Sequence, residues 1–139
     1  MVTVSTSRSG YESGSADISG SANDTGSSLN ITFAVTELSS TAFEEGDGDT
    51  VVLAFTVQAD VADAQINGLT LDATGDLNDA NEVGAVKVFA DANADGVADT
   101  SELVAEGSYT TDNGSVTFTF NEALLITTET GQVLITYEL

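Results

Sequence analysis

The sequence has no cysteine, histidine, tryptophan or proline, and only two basic residues, Arg8 and Lys87, among 139. Each absence excludes something. Without cysteine there are no disulfides, and without Cys or His the usual zinc and copper sites are ruled out. Two basic residues cannot form a phosphate-binding patch, so nucleic acid is not an expected partner and anionic membrane surfaces are disfavoured. No apolar run approaches the roughly 18–20 residues of a membrane-spanning helix, so no membrane insertion is expected. Met1 is followed by alternating Val and Thr and not by a charged, apolar leader, so the chain reads as a mature form, a fragment or a cytosolic protein, and the features described below favour the first two. Catalysis lacks its usual groups: there is no His base, no Cys nucleophile and no Gly-flanked Ser, and no carboxylate pair is marked out by an aromatic-lined cleft. The expectation is a protein that is not an enzyme.

What the chain has in excess is acid: 23 Asp and Glu give a net charge of −21. Such self-repulsion opposes compaction, and multivalent cations relieve it. An acidic surface adapted to salt gives the same composition, and the two explanations are compatible.

The length suits one domain. Val2-Thr3-Val4-Ser5-Thr6 alternates like a short strand, whereas residues 7–28 are rich in Ser, Gly, Ala and Asp and carry almost nothing to bury. The expected organisation is therefore an extended Ser/Gly-rich N-terminal segment over residues 1–28, a donor strand or a linker, followed by a domain over residues 29–139. From Asn30 onward apolar residues recur with period two: Ile31, Phe33 and Val35; Val51, Leu53, Phe55 and Val57; Ile66, Leu69 and Leu71; Val86 and Val88; Leu103 and Val104; Val116, Phe118 and Phe120; Val133, Ile135 and Tyr137. Asn113-Gly114, between strands at Tyr109 and Val116, reads as a tight hairpin. Helical periodicity is absent, although residues 58–64 and 121–125 each have room for one short turn. About seven short strands separated by Gly, Asp and Asn predict an all-β fold, a single antiparallel β-sandwich of immunoglobulin-like architecture.

One motif is sharp. Residues 91–102 place Asp91, Asn93 and Asp95 at positions 1, 3 and 5 of an EF-hand calcium loop, Gly96 at 6, the Val97 carbonyl at 7, Asp99 at 9 and Glu102 at 12. Calcium is a hard ion that takes roughly six to eight oxygens, and alternate residues of a tight loop aim their oxygens at one point. The flanks, however, read as strands: Val86-Lys87-Val88-Phe89 enters the loop and Leu103-Val104 leaves it. The site is expected between strands, with Ca2+ as the bound ion.

This combination resembles the tandem calcium-binding β-sandwich modules of bacterial and archaeal surface proteins, in which a strand runs into a D-x-N-x-D-G-x-x-D loop. The stretch from Val86 to Asp99 carries that signature, and Asp112-Asn113-Gly114-Ser115-Val116 and Gln132-Val133-Leu134-Ile135-Thr136-Tyr137 are similar as well. The resemblance covers about residues 30–139 and implies an extracellular or cell-surface scaffold or adhesion role. Residues 1–28 have no counterpart in such a module.

Weaker signals accompany the loop. Glu44, Glu45, Asp47 and Asp49 form a dense acidic cluster between two strands, and Asp76, Asp79 and Glu82 form another; each is a candidate second cation site as well as an ordinary acidic turn. Asn23, Asn30 and Asn113 begin N-x-Ser/Thr sequons, which permit glycosylation without specifying it. Lys87 is the one candidate on a strand for an intramolecular isopeptide bond, against the simpler expectation that it pairs with a carboxylate.

Three functional readings follow. In the first, the chain is a calcium-stabilised subunit that assembles into an extracellular filament, tube or layer, with Val2–Thr6 adding as a strand to the next subunit and making a homo-polymer. In the second, it is one stalk or adhesion module of a larger cell-surface protein. In the third, it binds a carbohydrate or protein ligand through cell-surface or glycan contacts, although with no Trp and three Tyr a sugar-stacking platform is thin.

Overall fold

Nine strands make up nearly all the regular structure among the described residues: β1 (Val2–Ser5), β2 (Ser13–Ala22), β3 (Ile31–Leu38), β4 (Thr50–Ala59), β5 (Ala64–Thr74), β6 (Ala85–Asp91), β7 (Leu103–Gly107), β8 (Ser115–Ile126) and β9 (Gly131–Glu138). One four-residue helix, α1 (Asp79–Glu82), lies between β5 and β6, and a 3₁₀ turn, Thr100–Glu102, precedes β7. The computed structural model describes the first three strands by their backbone, and residues 48–61, 63–76 and 78–139 in full.

The strands follow from the apolar alternation. In β4 the buried residues Leu53, Phe55, Val57 and Ala59 share one face; in β8 Val116, Phe118 and Phe120 do the same. β5 changes parity between Ile66 and Leu69, where Asn67 is one extra residue opposite the Ser19–Gly20 step of β2 and returns Leu69 and Leu71 to the buried face.

All pairings are antiparallel, in two sheets of order β1-β2-β5-β8 and β3-β4-β9-β6-β7. The inward residues of β4, β6 and β9 from one sheet and of β5 and β8 from the other form a single core. The all-β, antiparallel expectation holds. The sheets come together closely where β7 passes β8: a Cβ on Gly107 would stand 2.9 Å from Val116 Cγ2 and 3.0 Å from Phe118 Cε1, so only glycine fits.

Two local expectations need correction. Asn113-Gly114 is a turn, with Asn113 at φ 49°, but not a hairpin: β7 pairs with β6 in one sheet and β8 with β5 in the other. An Asn-Gly step fixes a local reversal and leaves the choice of partner strand to burial. Residues 121–125 belong to β8 and are not helical, and the described residues of 58–64 hold the end of β4, a bend and the start of β5. The Ser/Gly-rich stretch supplies strand β2, which pairs along β5, and β1 pairs with β2 of the same chain over Val2↔Ile18 to Ser5↔Ser15. A ladder needs only backbone groups, which is why a strand can form where side chains give no burial signal.

Candidate metal centre

Loop 91–102 leaves β6 at Asp91 and reaches β7 through the 3₁₀ turn. Asp91 is 2% exposed. Its carboxylate accepts two backbone N–H groups from the loop it begins, Asp95 to Oδ1 at 3.2 Å and Gly96 to Oδ2 at 2.8 Å. Asn93 Oδ1 accepts the Asp95 N–H at 3.1 Å, and Asp95 Oδ1 accepts the Val97 N–H at 2.8 Å. Asn93 Nδ2 donates to Asp95 Oδ2 at 2.8 Å, so the third and fifth positions face each other. The turning is done by two left-handed residues, Ala94 at φ 55° and Gly96 at φ 76°. The loop's own amides thus fix the side-chain oxygens at its alternate positions.

Glu102 closes the ring. Its Oε1 accepts the Ala92 N–H at 3.0 Å, which ties position 12 to position 2, while its Oε2 is enclosed and meets no donor. The Asp99 carbonyl accepts the Glu102 N–H at 2.9 Å and forms the 3₁₀ turn that brings Glu102 back; the Asp99 side chain is exposed, as is Val97. Ala98 packs with Val51 against Ala54, Phe89 and Leu134, a small apolar cluster apart from the main core, so the loop is anchored to the five-stranded sheet. Asn93 and Asp95 meet side chain to side chain, Asp91 and Glu102 are each fastened to loop amides, and oxygen donors of this kind suit a hard cation. Among the described residues no three Asp, Glu, His or Cys side chains form a cluster by themselves, so amide and carbonyl oxygens would have to complete any ligand set.

The weaker candidates separate. Glu44, Glu45 and Asp47 lie outside the described residues. Asp49 accepts from Lys87 Nζ at 2.8 Å, alongside Glu138 at 2.9 Å. These hydrogen bonds, the one to Asp49 foremost, hold the Lys87 ammonium above its usual value, which opposes the neutral amine that an isopeptide bond requires. The pairing was legible as an expectation; Glu138 as the second partner was not, because β6 and β9 become neighbours only in the sheet.

Asp76 is exposed in the connection before α1, and Glu82 Oε2 accepts the Asn78 N–H at 2.7 Å. Asp79 is fully buried, and its Oδ2 accepts the Asn113 N–H at 3.1 Å. Burial pushes its carboxyl above the usual carboxylate range; backbone hydrogen bonds work against this, and the charges of Asp112 and Glu82 add to it. That Asp79 meets Asn113 was not legible in the sequence, since nothing there couples positions 78–79 to 112–113.

An open groove beside the loop is bordered by Ala92, Ala94, Leu125, Thr127, Glu129 and Gln132, and none of its described lining residues is aromatic. Comparison with family models, with curated proteins and with solved structures returned no match.

Proposed function

We propose that the chain is a calcium-stabilised structural domain of an extracellular assembly, with the ion held by loop 91–102 through Asp91, Asn93, Asp95, the Val97 carbonyl, Asp99 and Glu102. The observation that carries this reading is Glu102: one oxygen is fixed by the Ala92 N–H and the other is enclosed without a donor. An anionic oxygen kept from water and from donors is costly unless a cation meets it. The role of the ion is mechanical. It joins the end of β6 to the start of β7 and, by binding only the folded chain, adds stability.

The immunoglobulin-like part of the reading has partial support: β1-β2-β5 repeats the A-B-E order of that fold, while β8 takes the place its fourth strand would have. The extracellular setting rests on the resemblance to surface-protein modules. Assembly is favoured by the position of β1, an edge strand held by four residue pairs to β2. Exchange of that partner for a sheet edge of the next subunit would make a head-to-tail contact that propagates into an open polymer. A stalk module of a larger surface protein is the second reading, and the same edge position would then be covered within the chain.

Melting temperature and particle size in calcium and in chelator test both parts. A higher melting temperature in calcium with growth to polymers is the expected result. A shift without growth leaves the module reading, and no shift in a folded sample overturns calcium binding by the loop.

A further inference from the structure

A second site lies between α1 and the turn before β8. Asp79 is fully buried, and its Oδ1 meets no donor; the neighbouring Asn78 Oδ1 is likewise enclosed and without one. The two oxygens are adjacent in sequence and sit where the chain meets the 111–114 turn from across the fold, fastened there by Asp79 Oδ2 to the Asn113 N–H at 3.1 Å and by the Gly75 N–H to Asn113 Oδ1 at 2.7 Å. Asn113 Nδ2 in turn donates to Asp112 Oδ1 at 3.2 Å, which keeps that carboxylate at the same turn. Both Asp112 and Glu82 act electrostatically on Asp79.

Among the described residues no protein cation answers this charge. The sequence has two basic residues; Arg8 lies outside the described residues, and Lys87 is committed to Asp49 and Glu138. A buried carboxylate without a partner costs several kcal/mol in general, and the group then takes up either a proton or a metal ion. The two enclosed atoms without donors are oxygens, one carboxylate and one amide, which suits a hard divalent ion and not a soft one; no three acidic side chains among the described residues group by themselves, so carbonyl oxygens would complete the ligand set.

We infer that Asp79 Oδ1 and Asn78 Oδ1 hold a second calcium ion, supported electrostatically by Asp112 and Glu82, which pins the β5–α1 connection to the turn before β8. The site is separate from loop 91–102 and does not depend on that loop's binding an ion. It joins positions 34 apart in sequence, so an ion there would fasten tertiary structure and not merely shape one loop.

The test is calcium stoichiometry on the full chain, by equilibrium dialysis and calorimetric titration with calcium chloride, for the parent, Asp79→Asn, and a loop variant carrying Asp95→Asn and Glu102→Gln. Asp79→Asn is expected to bind one calcium fewer than the parent, and the loop variant to keep an equivalent that adding Asp79→Asn removes. The proposal is overturned if Asp79→Asn leaves the stoichiometry unchanged, which would mean that a proton occupies the site. Should Asp79→Asn fail to fold by circular dichroism, Asn78→Ala and Asp112→Asn are read in its place: a calcium affinity lowered at least tenfold for one equivalent in either supports the site, and unchanged titrations in both overturn it. Failure of the loop reading looks different, because the loop variant would then match the parent while Asp79→Asn still lost its equivalent.

Discussion

Among the described residues, loop 91–102 and the Asp79 region both place buried carboxylate oxygens away from any protein cation, but they are built in opposite ways. The loop is made from one run of chain: its amides orient Asp91, Asn93, Asp95 and Glu102, and little beyond the packing of Ala98 is borrowed from elsewhere. The Asp79 region is assembled from two connections, 75–82 and 111–114, that meet only because β5 and β8 pair. A local site depends on closing a short loop, whereas a non-local one depends on the whole fold being formed. An ion bound at either should add to global stability by linkage, but its removal from the first should also loosen one loop, and from the second the meeting of two connections.

The largest effect expected is from Asp91→Ala, which removes the acceptor of two backbone N–H groups at a 2% exposed position. It should lower the unfolding free energy by about 2–4 kcal/mol in calcium. Chemical denaturation should find a smaller loss persisting in chelator, because the N–H bonds exist without the ion. Glu102→Gln sharpens the contrast: it should lose about 2–3 kcal/mol in calcium at free ion near one hundred times Kd, and almost nothing in chelator. Equal losses in both conditions would make the loop structural and not ion-binding. Asp79→Asn should behave in a third way, destabilising in calcium and neutral or stabilising in chelator, since the amide carries no charge to bury. If its chelator and calcium effects have the same sign and size, the two regions do not differ as argued.

Smaller effects probe the frame. Gly96→Ala forces a side chain to φ 76° with open space around it, a backbone cost of about 1 kcal/mol measurable in chelator, where ion binding does not contribute. Lys87→Met should cost about 0–1 kcal/mol and less at high salt. Because the folded chain holds Lys87 above its ordinary value, that contribution is present below the ordinary lysine range and is lost as pH rises beyond it. Parent and Lys87→Met should therefore converge in stability at strongly alkaline pH.

The shape of the loop was readable in advance because its Asp, Asn and Gly residues sit at a fixed spacing within one stretch, and the hydrogen bonds that shape it run between residues two to five apart or close the ring from Glu102 to Ala92. Most of the strands were readable too, since Leu53, Phe55 and Val57, or Val116, Phe118 and Phe120, show by alternation which face is buried. β2 was not, because Ser, Gly and Ala give no apolar signal for a ladder that backbone groups alone complete. Asp79 was read only as part of an acidic loop; its burial could not be inferred from its neighbours in sequence.

What the sequence by itself determined was the β alternation, the absence of soft-metal and phosphate-binding chemistry, and the inward turn of the 91–102 loop, all of which depend on residue type and short spacing. What only the tertiary structure decided was partner choice: β7 with β6 and β8 with β5 across the Asn113-Gly114 turn, Lys87 between Asp49 and Glu138, and Asp79 against the Asn113 amide. The physical reason is that a turn or a loop minimises its energy locally, whereas a strand's partner and a carboxylate's burial are set by which faces close the shared core.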